Sequence, residues 1–155
     1  MPTRFKGNSR ETRALNVYIT LLRAAGSLGR TGEEVFSSFG LSGGQFGTLE
    51  TLLHLGPLCQ KELGEKLLST EGNVTVIVQN LEKRGLIERV RNTDDQRFVT
   101  VHLTDEGKKL IRKAFAAFLK ELVENLEHLS DADLEAISAK SKKLGLGLKK
   151  RKAAS

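Results

Sequence analysis

A mainly α-helical chain carrying one small β-hairpin is what this sequence predicts, on three observations. Apolar residues recur at three- and four-residue spacing through most of its 155 residues. That spacing gives way to alternation only over residues 86–103, around a polar loop. Composition favours helix: with 2 Pro, 0 Trp and 1 Tyr, the core must be Leu, Val and Ile with some of the 7 Phe. The length suits one domain, or one domain with an oligomerisation appendage. Hydrophobic residues at 39% and charged residues at 28% place the chain among globular proteins.

After a polar leader, Leu15, Ile19, Leu22, Ala25 and Leu28 mark a first helix over 11–36, with Gly29 and Gly32 expected to fray or break its end. Phe36 and Phe39 lead into Ser42-Gly-Gly-Gln45, which has the form of a capping box and opens a helix with Phe46, Leu49 and Leu53 on one face. Gly56-Pro57 ends it. A short helix follows at 60–68, with Leu63, Leu67 and Leu68 inward. Ser69 and Thr70 are cap candidates for the next, whose apolar face is Val74, Ile77, Val78 and Leu81, and which stops at Gly85. Two helices joined by so short a turn form a helix-turn-helix pattern.

Leu86–Arg91 and Phe98–Leu103 then read as two strands around the polar loop 92–97, and a hairpin appended to a helix-turn-helix is a wing. Thr104 caps a long amphipathic helix with Asp105 and Glu106 in its first turn and Ile111, Phe115, Phe118, Leu122, Leu126 and Leu129 on one face. Ser130-Asp-Ala-Asp133 caps a last helix carrying Leu134, Ile137 and Leu144. The fold class expected is therefore mainly α with a small β wing: a winged helix-turn-helix flanked by N- and C-terminal helices.

The net charge is +6, unevenly placed. Segment 140–152 holds seven bases and no acid. Segment 1–13 holds Arg4, Lys6, Arg10 and Arg13 against Glu11. Basic ends on an acidic middle suit a polyanionic partner, with RNA and membrane surfaces as alternatives to DNA on charge alone. A single Cys excludes a disulfide framework and multi-Cys metal sites. No apolar run approaches the roughly 20 residues that span a bilayer, and the leader lacks a signal-peptide core, so a soluble cytoplasmic protein without a membrane partner is expected.

The order of elements, and motifs within it, resemble the MarR family of bacterial winged-helix transcription regulators over about residues 11–146. The most specific match is Asp95-Gln-Arg97-Phe-Val-Thr-Val-His-Leu103-Thr104-Asp-Glu-Gly107, similar to the family's D-x-R wing followed by L-T-x-x-G. Asn80-Leu-Glu-Lys-Arg-Gly-Leu-Ile87 resembles the end of its recognition helix, and Gln60-Lys-Glu-Leu63 the opening of its first helix-turn-helix helix. The resemblance implies one MarR-type domain over 1–155: dimerisation helices at 11–36 and 104–146, the winged helix-turn-helix at 42–103, and a basic tail at 147–155. It further implies a homodimer on a pseudo-palindromic double-stranded operator, acting as a repressor released by a small-molecule effector or oxidant.

On that reading the DNA-binding residues are Thr70, Gly72, Asn73, Thr75, Gln79, Lys83, Arg91, Asp95 and Arg97. Asn and Gln can read adenine bidentately, and Thr can meet a thymine methyl or a phosphate. Val76 stands where the family often carries Arg. Arg97 at the wing tip suits a narrow minor groove, with Asp95 orienting its guanidinium; a plain turn-stabilising ion pair is the alternative. Arg89, Arg91 and Lys83 suit phosphates. Segment 56–104 carries seven bases and seven acids, so the reading head must rely on where its charges sit. The alternative for the polar residues is a solvated helix face, and for the tail a frayed helix end.

The effector is expected in the crevice between dimer helices and winged helix, near Tyr18, Phe39, Phe46 and Phe115. The run Gly72-Asn73-x-Thr75 is similar to a branch whose members answer aromatic or phenolic compounds. Leu41-Ser-Gly-Gly-Gln45 spells the signature of ABC-transporter ATPases, but no Walker A loop accompanies it. His54, His102 and His128 lack metal-ligand spacing, no nucleophile–base pair is suggested, and no catalytic residue, metal or cofactor is expected. Cys59 is the redox candidate. It falls at the N-cap of helix 60–68, where a thiol caps poorly but a helix N-terminus favours thiolate, while Glu62 opposes that. Competing readings are an oxidant-sensing repressor acting through Cys59, and a winged-helix protein-interaction module that does not read DNA.

Overall fold

A computed structural model describes residues 5–67, 69–91 and 99–153. Its elements run α1 (Ser9–Ser38), α2 (Gly43–Leu55), β1 (Leu58–Cys59), α3 (Gln60–Leu67), α4 (Glu71–Lys83), β2 (Ile87–Arg91), β3 (Val99–Leu103), α5 (Asp105–Leu126) and α6 (Asp131–Ala153). The chain divides into two units, one up to Leu122 and one from Val123 onward. In the first unit, the helix-turn-helix α3–α4 and a three-stranded antiparallel sheet ordered β1-β3-β2 enclose the core together with α2 and the start of α5.

Caps decide where the helices begin. Asn8 and Glu11 form a reciprocal capping box for α1, Ser42 and Gln45 one for α2, and Ser130 and Asp133 exchange the same hydrogen bonds at α6. Thr70 accepts from the Asn73 N–H at 3.4 Å, and Thr104 from the Gly107 N–H at 3.0 Å.

Two C-termini close alike. After α1, the Leu41 N–H reaches the Phe36 carbonyl and the Gly40 N–H that of Ser37. After α4, the Leu86 N–H reaches Leu81 and the Gly85 N–H reaches Glu82. Both are Schellman arrangements, with glycine at φ +65° and +69° and a buried leucine following.

The expected break at Gly29 and Gly32 does not occur. α1 runs unbroken through both, since helical glycine costs only about 1 kcal/mol and packing can outweigh it. Gly32 is buried. A Cβ there would stand 3.0 Å from the Phe36 ring and 3.5 Å from Phe118, so its bareness admits those rings against α1.

The core centres on Leu49, Leu63, Val74, Val78, Leu81, Val101 and Ile111, all fully buried. The four apolar residues assigned to α4 are all inward. Two differences concern the sheet. Leu86 belongs to the α4 cap, so β2 starts at Ile87. Leu58–Cys59 adds a third strand, pairing Leu58 with Val101 and Cys59 with Thr100. In the second unit, α6 continues past the expected end near 146 through Ala153, so the basic segment lies largely within a helix. No helix among the described residues is long and apolar enough to cross a membrane.

Candidate DNA interface

The buried face of α4 dictates its exposed one. With Val74, Ile77, Val78 and Leu81 inward, Gly72, Asn73, Val76, Gln79, Asn80 and Lys83 form an open stripe along the opposite side. At its N-terminal end the Asn73 amide donates to the Ser69 hydroxyl at 2.7 Å, which fixes the side chain before any ligand arrives. Gly72 has nothing within 4 Å of where a Cβ would stand. Short side chains and free space at a helix N-terminus suit close approach of a phosphate backbone.

Thr75 sits differently from its neighbours. It is half-buried on the flank of the stripe, and its hydroxyl donates to the Glu71 carbonyl at 2.9 Å. Val76, 54% exposed, occupies the middle instead. Sequence reasoning passed over Val76 as a missing Arg. The signal was available, because Val76 falls between two inward pairs and so must face outward. An exposed Val can meet a thymine methyl.

The basic residues divide into two groups. Lys83 and Arg91 are exposed at the ends of α4 and β2. Arg89, expected to be open to phosphate, instead forks onto Glu82, with Nε donating to Oε1 at 3.1 Å and Nη2 to Oε2 at 2.5 Å. That bidentate bond holds the Glu82 carboxyl below its ordinary value and raises Arg89 above its own. It braces β2 against α4. Arg84 is likewise engaged, its Nη1 donating to the Gly40 carbonyl at 2.8 Å and to Gln45 Oε1 at 3.3 Å. Asp95 and Arg97 lie outside the described residues, as do the side chains of Lys149–Lys152.

Aromatic residues assigned to an effector crevice are dispersed. Phe46 is buried, stacked on Phe36 at 4.0 Å between centroids and edge-on to Phe118 at 5.4 Å. Phe115 meets His54 at 5.1 Å, Phe39 packs against the core, and Tyr18 is 63% exposed on α1. A cleft of about 280 Å³ lies elsewhere, between the end of α2, β3 and the first turns of α5. Leu52, Leu53, Pro57 and Leu103 give it apolar walls; His102, Lys108 and Arg112 bring basic groups to it.

Cys59 is half-buried at the end of β1. Its backbone N–H donates to Glu62 Oε2 at 2.8 Å, the return bond of a capping box. That bond, then the Cys59 side chain, holds the Glu62 carboxyl below the usual carboxylate value. No group of three His, Cys, Asp or Glu among the described residues could hold a metal ion.

Comparisons with known proteins agree with this architecture. Residues 41–99 match the MarR family model. The HTH-type transcriptional regulator YwoH of Bacillus subtilis (strain 168) is 32% identical over 116 residues, which span 75% of this chain and 84% of that protein. MhqR, an HTH-type transcriptional regulator of the same organism, is 28% identical over 137 residues, 88% of this chain and 94% of its own. Among solved structures, S. aureus MepR in complex with DNA superposes with a TM-score of 0.74 at 25% identity, covering 84% of this chain and 97% of that one. Helix-turn-helix, sheet and matched motifs coincide over the same residues, and the chain belongs to the MarR family, a family of DNA-binding transcription regulators rather than enzymes.

Proposed function

We propose that the protein is a dimeric, sequence-specific DNA-binding repressor that a small anionic ligand releases from its operator. The observation that carries the reading is the stripe on α4. Its base-readable side chains Asn73 and Gln79 flank an exposed apolar Val76, on a helix whose other face is locked into the core. Thr70, Gly72, Asn73, Thr75 and Gln79 would enter the major groove, Lys83 and Arg91 would meet phosphates, and Arg97 with Asp95 would serve the minor groove. S. aureus MepR, related in fold and at 25% identity, was solved on DNA, which supports the assignment.

Dimerisation has separate support. α1 exposes Val17, Tyr18, Leu21, Leu22 and Leu28 along one side, and α6 exposes Ile137, Leu144, Leu146 and Leu148. Apolar surface of that extent calls for a cover, and a second copy of these helices would supply it. On this reading, helices 11–36 and 104–146 dimerise, 42–103 reads DNA, and 147–155 adds a basic extension. For the ligand, the cleft beside His102, Lys108 and Arg112 offers apolar walls and cationic groups, chemistry suited to an aromatic carboxylate or phenolate.

The test is a selection of duplexes from the random pool, followed by mobility shift with competitor DNA and by light scattering. Enrichment of a two-fold symmetric site, with half-sites about one turn or roughly 34 Å apart, and a dimeric mass are expected. A folded monomer that enriches no sequence would favour the protein-interaction reading.

A further inference from the structure

Arg84 is the C-cap of the recognition helix and carries no base-reading geometry of its own, yet it is the residue through which α4 grips the opposite corner of the domain. We propose that Arg84 is a positioning residue for DNA recognition: it ties the C-terminal cap of α4 to the α1–α2 corner and thereby sets the angle at which α4 meets DNA. The inference rests on α4 being the DNA-reading helix.

The geometry is specific. One guanidinium nitrogen donates to the carbonyl of Gly40, the positive-φ residue that closes α1, and to Oε1 of Gln45. That same Gln45 oxygen accepts the Ser42 N–H at 3.1 Å in the α2 capping box. Three helix ends therefore converge on one cation: the C-termini of α1 and α4, and the N-terminus of α2. α1 has no basic residue in its own last turn, so its exposed carbonyl end takes its compensating charge from Arg84, 44 residues along the chain. The following Schellman leucines, Leu41 and Leu86, are both buried, so the two caps are anchored in the core on either side of the bond.

The lever arm explains why this matters for DNA. A 13-residue helix is roughly 20 Å long, so a tilt of about 5° at the Arg84 end moves its base-reading end by about 1.7 Å. Hydrogen bonds to base edges fail over such a distance. Phosphate contacts, made by long flexible side chains, tolerate it.

That difference supplies the test. The probes are the duplex enriched by the wild-type protein and an unrelated duplex of equal length. Arg84→Met should weaken binding to the enriched duplex about tenfold while leaving affinity for the unrelated one, and the slope of log affinity against log salt, unchanged. Arg84→Lys, which keeps the charge and one donor, should recover most of the loss. Gln45→Met removes the acceptor from the other side and should lower the enriched-to-unrelated ratio too. The double variant should then lose no more than Arg84→Met alone. Unfolding midpoints above the assay temperature separate this from loss of fold, and Gln45→Met carries the test where Arg84→Met does not fold. Equal weakening on both duplexes with a slope smaller by about one would make Arg84 a phosphate contact and overturn the proposal. Unchanged affinity in Arg84→Met, or additive losses in the double variant, would also overturn it. Failure of the wild type to enrich any duplex would instead refute the DNA-reading assignment itself.

Discussion

Gly107 closes the L-T-x-x-G motif, and the structure gives the reason a side chain is excluded there. A Cβ at Gly107 would fall onto the Leu86 carbonyl oxygen, 2.9 Å from the carbonyl carbon and 3.3 Å from Leu103 Cδ2. The obstacle is backbone, and it cannot rotate aside. Leu86 is held by its own N–H to Leu81 and by its carbonyl to the Thr104 N–H at 3.2 Å, while the Thr104 hydroxyl donates to the Gly85 carbonyl at 2.7 Å. In Gly107→Ala, the first turn of α5 must back away and loosen both bonds from Thr104. Two hydrogen bonds are worth about 2 kcal/mol, overpacking costs about 1–3 kcal/mol, and alanine's better helix propensity returns about 1 kcal/mol. The net expectation is a loss of about 2–4 kcal/mol. Urea unfolding at fixed protein concentration measures it as a lower midpoint at constant slope. Gly72→Ala is the control: nothing lies within 4 Å of that Cβ, and stability should hold or rise by up to about 1 kcal/mol. A Gly107→Ala protein as stable as wild type would refute the close approach of Leu86 and with it the packing account of the motif.

Other expectations follow from the same geometry. Arg97→Ala should cost about 1–3 kcal/mol of operator binding with little change in stability, measured by fluorescence anisotropy at physiological salt; normal binding would remove the wing from the interface. Cys59→Ser should keep or slightly raise stability, by a fraction of about 1 kcal/mol, because a hydroxyl caps better than a thiol. Peroxide should then leave DNA binding intact in both proteins, and oxidant release that vanishes in the Ser variant would establish sensing. Glu82 has a native value below its ordinary 4.5, so its pairing with Arg89 stabilises fully above that pH and is lost as pH falls through the lower native value. Glu82→Gln should therefore flatten part of the acid limb of a stability–pH curve, and an unchanged limb would mean the Arg89 brace contributes nothing measurable.

What the sequence revealed was local. Capping boxes at Ser42/Gln45 and Ser130/Asp133 are three-residue patterns whose bonds form within one turn, and both occur as read. The inward face of α4 follows from helical spacing alone. What the sequence concealed was non-local or too short. β1 is two residues long, and two residues carry no period. Gly29 and Gly32 read as breakers because the rings that pack on Gly32 come from α1 itself and from α5, far along the chain. Arg89 and Arg84 read alike as surface bases. Their partners lie 7, 39 and 44 residues away, so only the fold separates a brace and a tie from an open cation. Phe46 looked available for a ligand, and stacking with Phe36 places it in the core. The DNA-facing residues were legible mainly by subtraction, as what remained once the apolar face was assigned; Thr75, half-turned inward, marks the error of that method.

The engagement of Arg84 and Arg89 also constrains how the protein can hold a polyanion. Segment 56–104 is neutral by count, and two of its seven bases already serve intramolecular bonds. Lys61, Lys66, Lys83, Arg91 and Arg97 remain, and of these Lys83, Arg91 and Arg97 belong to the recognition helix and wing. If those three each neutralise one phosphate, a dimer makes about six such contacts, and log affinity should fall with log salt at a slope near −5. A distinctly steeper slope requires cations from outside the reading head, and the densest supply is Lys149–Lys152 near the end of α6. Removing residues 149–155 then decides the matter by salt titration on the enriched duplex. A slope that starts steep and flattens to about −5 on truncation assigns the basic extension to the DNA-bound state. A slope near −5 in both proteins makes it a bystander. A slope well below that in the intact protein would mean that the three assigned phosphate contacts are wrong, because the fold has no reserve of unpaired bases in the reading head from which to replace them.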